Sequence, residues 1–198
     1  MLKWPGAVPL AVDIEADSAC NFRCTMCQKT DSWWKKEPEN QMSLETFTCV
    51  VDESAKLGVY SMKLNWRGEP TLHKNLVNMI RYMKEKGIHE VQMNTNGSKF
   101  TSDEFIDDII LSGLDRIIFS CDGVSAETYN TIRKGGDWDK FYSNVKRFRE
   151  RCSYFKMEGH KVPLVRINTS VQEANKHELP MFEKIFKGIA DEIRYNTV

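Results

Sequence analysis

Three cysteines close together in the chain are the residues best suited to chemistry. Cys20, Cys24 and Cys27 have the spacing C-x3-C-x2-C and follow a strand predicted over Leu10–Glu15. A [4Fe–4S] cluster is normally held by four cysteine thiolates. Three thiolates without an evident fourth would leave one iron with an open position, which is where a metal site acts on a bound molecule. The pattern therefore predicts an iron–sulfur cluster with one open iron.

Other interpretations of these cysteines are weaker. A structural zinc site needs four nitrogen or sulfur ligands, and no His or Cys pair follows at the spacing of a zinc finger. A disulfide framework is unusual in a chain of 198 residues without a secretory segment. Cysteines that only fill a core are buried singly, whereas these three share one polar loop. We therefore favour the cluster over zinc binding or packing.

Composition sets limits on the class of protein. The length predicts one domain with a substantial core. The chain has 28 basic and 28 acidic side chains, so its charge gives no sign of a nucleic-acid or membrane partner. No apolar run is long enough to cross a bilayer, and the N-terminus does not resemble a signal peptide. These features predict a cytoplasmic protein with reduced cysteines.

Strand and helix patterns alternate along the chain, which predicts an α/β fold with a parallel sheet. The predicted strands are Leu10–Glu15, Met62–Trp66, Glu90–Asn94, Arg116–Ser120, Val165–Val171 and Glu192–Tyr195. The predicted helices are Leu44–Leu57, Asn75–Lys86, Phe105–Leu111, Asp139–Arg151 and Lys176–Phe186. Ser43 is expected to cap the first helix, and Thr101 with Glu104 is expected to form a capping box at the third. Six strands in this order predict a partial (β/α)6 barrel.

Polar or glycine-bearing clusters follow the first four predicted strands. They are the cysteine loop, Arg67-Gly68-Glu69-Pro70, Thr95-Asn96-Gly97 and Cys121-Asp122-Gly123. A βα-repeat protein has its active site at the carboxyl ends of its strands. The four clusters are therefore expected to meet on one rim.

With these motifs in place, the chain resembles the core domain of the radical SAM superfamily. The resemblance is carried by Cys24-Thr25-Met26-Cys27, by the Gly-Glu-Pro-Thr-Leu-His-Lys-Asn-Leu segment from Gly68, by Asn-Thr-Asn-Gly from Asn94, by Ser-Cys-Asp-Gly from Ser120 and by Thr-Ile-Arg-Lys-Gly-Gly from Thr131. It covers roughly residues 10 to 198, and it is nearest to the subgroup that often carries a SPASM or twitch extension. It implies one core domain over residues 1–198, without that extension.

The resemblance implies roles for individual residues. Cys20, Cys24 and Cys27 would hold a [4Fe–4S] cluster whose open iron binds S-adenosylmethionine. Other positions would contact S-adenosylmethionine: Gly68, Glu69 and Pro70 near its ammonium, Ser120 and Asp122 at its ribose, Arg133 at its carboxylate, and Asn96 beside Thr95 at the end of strand three. Plainer interpretations are an ordinary Gly-Pro turn, an Asp-Gly turn followed by a Ser125 helix cap, and an exposed arginine at a helix end.

Two positions differ from many relatives, and several residues lie outside the motifs. Arg67 stands where a second glycine is common, and Met26 stands where an aromatic residue is common. Cys49 and Cys152 are expected to pack in the core. Trp33 to Lys36 would either shape the entry to the site or form an exposed turn.

The resemblance implies a radical SAM enzyme. A reduced cluster would cleave S-adenosylmethionine to a 5′-deoxyadenosyl radical that takes hydrogen from the substrate. A peptide substrate is slightly favoured over a sugar- or nucleotide-derived one, and a flavodoxin or ferredoxin would supply the electron. The alternatives are a non-catalytic iron–sulfur or zinc scaffold and a methyl transferase. A C-terminal domain or a partner chain is expected to cover strand six, where the sequence ends.

Overall fold

The structure is a computed structural model that describes residues 9–30 and 38–197, so Trp33 to Lys36 lie outside the described residues. Its strands are β1 Ala11–Asp13, β2 Ser61–Lys63, β3 Glu90–Thr95, β4 Arg116–Ser120, β5 Leu164–Val171 and β6 Glu192–Thr197. Its α-helices are α1 Leu44–Leu57, α2 Leu76–Glu85, α3 Asp103–Leu111, α4 Ala126–Ile132, α5 Trp138–Met157 and α6 Leu179–Ile185. Short 3-10 helices lie at Gln28–Thr30, Pro70–Leu72 and Lys176–Glu178. No helix in these ranges is long and apolar enough to cross a membrane.

The strands form one parallel sheet in the order β1-β2-β3-β4-β5-β6. Parallel neighbours need a crossover connection, and a helix supplies it between most consecutive strands. Within the described residues β1 and β6 do not pair with each other, so the sheet stays open as a partial barrel. This confirms the predicted α/β architecture.

The helix boundaries test the capping signals that were predicted from the sequence. The hydroxyl of Ser43 accepts a hydrogen bond from the Thr46 amide, and Gly58 ends α1 at φ 76°, as predicted. The capping box at Thr101 is wrong, because α3 is capped by Ser102, whose hydroxyl accepts from the Phe105 amide. The cap lies one residue later than predicted, so Glu104 is at the second helical position and not at the third, which a capping box needs, and α3 begins two residues before the predicted start at Phe105.

The middle of the chain contains more helix than expected. α4 was not among the predicted helices, although Ser125 caps it. α5 begins after its cap Asp137 and runs to Met157, six residues past the predicted end at Arg151. In the part of α5 that follows the predicted end, Cys152 and Phe155 are buried, whereas Tyr154 and Met157 are exposed.

Alternation along the strands separates a dry face of the sheet from a polar one. Val91, Met93, Ile117, Phe119 and Ile167 are fully buried against the helices. The residues between them form the polar face, which we call the inner face: Lys63, Gln92, Asn94, Arg116, Ser120, Arg166 and Asn168. A half-buried polar face is expected where a barrel holds a ligand.

The predictions that Cys152 and Cys49 pack in the core have different outcomes. Cys152 is buried in the core, as predicted, with 1% of its surface exposed. The prediction for Cys49 is wrong, because this residue of α1 is exposed. The helix buries Phe47, Val51 and Ser54 instead, and Cys49 lies outside that stripe.

Candidate active site

The cysteine loop lies between two other loops of the rim and is bonded to both. On one side the Ala19 carbonyl accepts a hydrogen bond of 2.7 Å from the Glu69 amide. On the other side the amides of Arg23 and Thr25 donate to the carbonyls of Lys134 and Ile132, at 2.8 and 2.9 Å. The backbone that carries the cysteines is therefore held by the segments that follow β2 and α4.

Close backbone approach explains the glycine of the segment after β2. A Cβ atom on Gly68 would lie 1.7 Å from the Asp17 carbonyl oxygen, well inside any allowed contact. On the opposite side Gly135 adopts φ 97°, and a Cβ there would lie 3.1 Å from the Asn21 carbonyl oxygen. These glycines let the flanking segments approach the cysteine loop.

A side-chain contact joins the cysteine loop to the end of β3. The Asn96 amide group donates to Oδ1 of Asn21 at 2.9 Å, and the Asn21 amide group donates to the Ser98 hydroxyl at 2.9 Å. Asn96 is nearly buried, at 5% exposure. Its side chain thus orients the cysteine loop, a role that its position in the motif did not reveal.

Glu69 lies beneath this junction, with 3% of its surface exposed. One carboxylate oxygen accepts from the Thr71 amide, the Thr71 hydroxyl and the Thr95 hydroxyl, and the other accepts from the Asn96 amide at 2.7 Å. Burial raises the pKa of the Glu69 carboxyl, while these hydrogen bonds oppose the rise. The side chain therefore ties the loop after β2 to the loop after β3.

The cysteines themselves are free thiols on a partly buried loop. Cys24 is buried, and Cys20 and Cys27 are half-buried. Burial raises the pKa of the Cys24 thiol to about 11, although the nearby Arg133 acts in the opposite direction. Burial also raises the pKa of Cys20. These thiols would give up their protons on binding metal.

Arg133 and Asp122 form a buried ion pair next to Cys24. Nη2 of Arg133 lies 2.7 Å from Oδ2 of Asp122, and its Nη1 lies 4.0 Å from Sγ of Cys24. Asp122 is fully buried, and its Oδ1 accepts a hydrogen bond of 2.7 Å from the Ser170 amide. The structure thus brings together a predicted ribose contact, a predicted carboxylate contact and a predicted cluster ligand.

Ser120 lies on the inner face at the end of β4, directly beside Asn168 of β5 in the sheet register. Oδ1 of Asn168 and Oδ1 of Asn94 are buried and have no hydrogen-bond partner within residues 9–30 and 38–197. Buried polar atoms normally have partners, so these oxygens suit the hydroxyl or amino groups of a bound molecule. Pro70 begins the 3-10 helix behind Gly68 and is buried.

Two residues of this site have no counterpart in the predicted set. Glu178 accepts hydrogen bonds from the Val124 amide and from the hydroxyls of Ser125 and Thr128, which fixes the start of α4. Asn175 donates to the Asp122 carbonyl at 3.2 Å. Both lie about fifty residues further along the chain than their partners, and no local pattern marks them.

The donor set fits an iron–sulfur cluster better than a single metal ion. Among the described residues, no group of three His, Cys, Asp or Glu side chains is arranged to hold one ion. A cubane cluster instead presents separate irons to separate thiolates, and three free cysteines on one braced loop match that demand. Their soft sulfur ligands also suit iron in such clusters.

Comparisons with known proteins agree with this geometry. GTP 3′,8-cyclase of Desulforamulus reducens is 28% identical over 184 residues, which make up 92% of this chain and 53% of that protein. A probable GTP 3′,8-cyclase of Saccharolobus solfataricus is 35% identical over 129 residues, which make up 65% of this chain and 40% of that protein. The chain thus spans about half the length, or less, of these curated relatives.

A solved structure shares the fold. SuiB of Streptococcus suis bound to S-adenosylmethionine superposes with a TM-score of 0.76 at 17% identity, over 96% of this chain and 40% of that chain. The family model described as the radical SAM superfamily matches residues 17–157, a stretch that contains the cysteine loop and the rim as far as α5. The chain therefore belongs to the radical SAM superfamily, whose enzymes use a [4Fe–4S] cluster and S-adenosylmethionine.

Proposed function

We propose that this chain is the catalytic core of a radical SAM enzyme that acts on a guanosine nucleotide, with GTP as the expected substrate. The observation that carries the proposal is the likeness to a GTP 3′,8-cyclase over 92% of the chain. A peptide, which the motifs slightly favoured, becomes the second candidate substrate, because the names of the two relatives given above specify GTP. A cytoplasmic location and a SPASM-type affiliation stay predictions.

The inner face of the sheet supports a phosphate-bearing substrate. Lys63 of β2, Arg116 of β4 and Arg166 of β5 project from this face, with 24%, 20% and 12% of their side chains exposed. Guanidinium and ammonium groups are the usual partners of phosphate oxygens, and Arg binds them in a two-pronged manner. We propose these basic side chains as the contacts for the phosphates of the nucleotide.

Acidic partners hold these basic side chains in place. Lys63 pairs with Asp13 at 2.6 Å, and Arg116 and Arg166 both pair with Glu192 of β6, at 3.1 and 2.6 Å. Side chains held in this way lose less conformational freedom when they bind a ligand. Arg116 also pairs with Glu90 at 3.3 Å, so the three basic groups face three carboxylates, and a phosphate has to displace an acidic partner to bind here.

The residues of the rim have the following proposed roles. Cys20, Cys24 and Cys27 would hold the cluster. When bound, the cluster and S-adenosylmethionine supply reductive carbon–sulfur cleavage and hydrogen abstraction. Gly68, Glu69 and Pro70 would form the cradle for the cofactor's amino group, with Asn96 bracing it. Ser120 and Asp122 are proposed for the ribose, and Asp122 also pairs with Arg133.

The decisive test follows hydrogen from GTP to the cofactor product. The chain is reconstituted with iron and sulfide without oxygen, reduced with dithionite and supplied with S-adenosylmethionine and GTP deuterated on the ribose. We expect deuterium in 5′-deoxyadenosine, and no product in Cys24→Ala. A flavodoxin or ferredoxin would replace dithionite in the physiological reaction.

Other outcomes would contradict the proposal at different levels. If ATP or a peptide gave the same yield of 5′-deoxyadenosine and GTP gave no deuterium transfer, GTP would be the wrong substrate. S-adenosylhomocysteine as the product would indicate methyl transfer. A fully loaded, reducible cluster that never cleaves S-adenosylmethionine would indicate the non-catalytic scaffold.

A further inference from the structure

Arg133 is the buried cation nearest to the cysteine loop. It lies just after α4, and only 9% of its side chain is exposed. Nη1 approaches Sγ of Cys24 to 4.0 Å, while Nη2 pairs with Asp122. A guanidinium stays protonated in proteins, so Arg133 carries a positive charge at this place.

Backbone hydrogen bonds hold the segment that carries Arg133 beside the cysteine loop. The Arg133 amide donates to the Tyr129 carbonyl at 2.8 Å, which closes the last turn of α4. The residues on either side of Arg133 accept hydrogen bonds from Arg23 and Thr25 of the cysteine loop. The loop that carries Cys24 and the residue that carries the cation are thus joined on both sides.

Asp122, the ion-pair partner of Arg133, makes hydrogen bonds to other parts of the chain. Oδ1 of Asp122 accepts from the Ser170 amide, and the Asp122 carbonyl accepts from Asn175. Both Asp122 and Asn175 are fully buried. The Asp122 side chain therefore cannot turn away from Arg133 without breaking its hydrogen bond to the Ser170 amide.

A fixed charge at this place has a consequence for the cluster. Hydrogen bonds to the cluster sulfurs, nearby charge and exclusion of solvent all set the reduction potential of an iron–sulfur centre. Reduction adds one negative charge, and a cation beside a ligating thiolate stabilises the more negative state. The effect is larger in a buried site, where the effective dielectric constant is low.

We infer that Arg133 holds a positive charge against the cluster ligand Cys24 and makes the cluster easier to reduce, with Asp122 as its positioning residue. This role concerns the cluster before any cofactor or substrate binds. It rests on the three-cysteine cluster and not on the choice of GTP, so the two proposals fail separately. It is also distinct from the predicted contact between Arg133 and the carboxylate of S-adenosylmethionine.

The test measures the midpoint potential of the reconstituted cluster without S-adenosylmethionine. Absorbance and electron paramagnetic resonance are followed in a redox titration, after iron and sulfide show full loading. We expect Arg133→Met to shift the midpoint to a more negative potential, and Arg133→Lys to shift it less in the same direction. Arg133→Gln replaces Arg133→Met if the latter does not load fully.

A matched control comes from an ion pair on the helical side. Arg151 makes two hydrogen bonds of 2.6 Å to Asp107, and neither residue belongs to the rim. Arg151→Lys should leave the midpoint potential unchanged. This variant shows whether the loss of a two-pronged arginine–aspartate pair elsewhere in the chain alters the cluster through general loosening.

Asp122 is tested by a double-variant cycle. If Asp122 positions Arg133, the shift caused by Arg133→Met should be smaller in an Asp122→Asn background than in the parent. Equal shifts in both backgrounds would overturn the positioning role. An Arg133→Met protein with a fully loaded cluster and the parental midpoint potential would overturn the main inference. If that protein also bound S-adenosylmethionine more weakly, Arg133 would be assigned to the cofactor alone.

Discussion

Buried carboxylates at the rim use their hydrogen bonds to hold neighbouring loops. Both oxygens of Glu69 accept from backbone amides, one from Thr71 and one from Asn96. Asp122 accepts from the Ser170 amide, and Glu178 accepts from the Val124 amide. Each acid therefore joins segments at the carboxyl ends of different strands.

At the residue scale, Glu69→Gln tests this arrangement most directly. A glutamine has one NH2 group. In either orientation this group would face one of the two backbone amides, of Thr71 or of Asn96, that donate to Glu69. We expect a loss of about 1–3 kcal/mol in the free energy of unfolding, measured by urea denaturation of the cluster-free chain. Glu173→Gln, whose side chain is 86% exposed, should change it by less than about 0.5 kcal/mol. Equal stability of the two variants would contradict the role given to Glu69.

At the scale of elements, the rim depends on loops that cross at backbone distance. The segment after β2 passes so close to the cysteine loop that Gly68 has no room for a side chain against Asp17. The amide of the next residue, Glu69, is at the same time bonded to Ala19. Neither loop can move without loss of this contact.

Gly68→Ala is therefore expected to prevent normal cluster assembly. The added methyl group must displace the Asp17 carbonyl, which moves the loop that carries the cysteines. Iron content and cluster absorbance after reconstitution should fall several-fold. Gly58→Ala is the control: nothing lies within 4 Å of its Cβ, so only the φ of 76° opposes it, at about 1 kcal/mol. Full cluster loading in Gly68→Ala would disprove the steric argument.

A pH-dependent contribution also belongs to this scale, because Glu178 joins the 3-10 helix Lys176–Glu178 to α4. Burial alone would raise the pKa of Glu178, but the hydrogen bonds from Ser125, Thr128 and Val124 outweigh it and lower the pKa. A lowered folded pKa means that the stabilisation is complete above the ordinary carboxyl pKa and is lost as the pH falls through the folded value.

Glu178→Gln should therefore destabilise the chain at pH 7 and much less in acid. The measurement is the difference in unfolding free energy between parent and variant, taken from urea titrations at pH 7 and at about pH 3.5. We expect the difference to shrink on acidification. A difference that stays constant or grows towards low pH would show that the charge of Glu178 contributes nothing.

At the scale of the whole molecule, one sheet separates a dry helical layer from the polar inner face. Phe119 lies at the centre of the dry side, where its ring contacts Phe100, Phe141 and Phe148 at centroid distances of 5.3, 6.4 and 5.5 Å. Ser120 follows Phe119 directly in the chain, and Asp122 of the rim lies two residues further on. Packing on one face thus determines the position of polar residues on the other.

Phe119→Ala should destabilise the protein by about 3–5 kcal/mol, because the side chain is fully buried among other rings. Thermal or urea unfolding measures the change. Met157→Ala, at a residue that is 80% exposed, should have a small effect. A loss below about 1 kcal/mol in Phe119→Ala would mean that this aromatic cluster does not support the sheet.

Much of the architecture follows from local sequence. Alternating apolar residues, the Ser43 cap and the glycines after helices determine which segments become strands and helices, because these preferences act within a few residues. The position of β4 was predicted to the residue, and the three-cysteine spacing identified the cluster loop. The end of α3 was also predicted correctly, but its start was not, because Ser102 and not the neighbouring Thr101 caps the helix. The end of α5 was missed because its buried apolar residues continue past Arg151.

The tertiary structure decided what the rim residues do. The sequence by itself determined the fold class, the cysteine loop and the order of the motifs along the rim, since these depend on spacing and periodicity. It did not determine that Asn96 contacts Asn21, that Asp122 pairs with Arg133, or that Glu178 caps the entry to α4. Those contacts join residues that are distant in sequence, and they form only when parallel strands bring their carboxyl ends to one edge of the sheet.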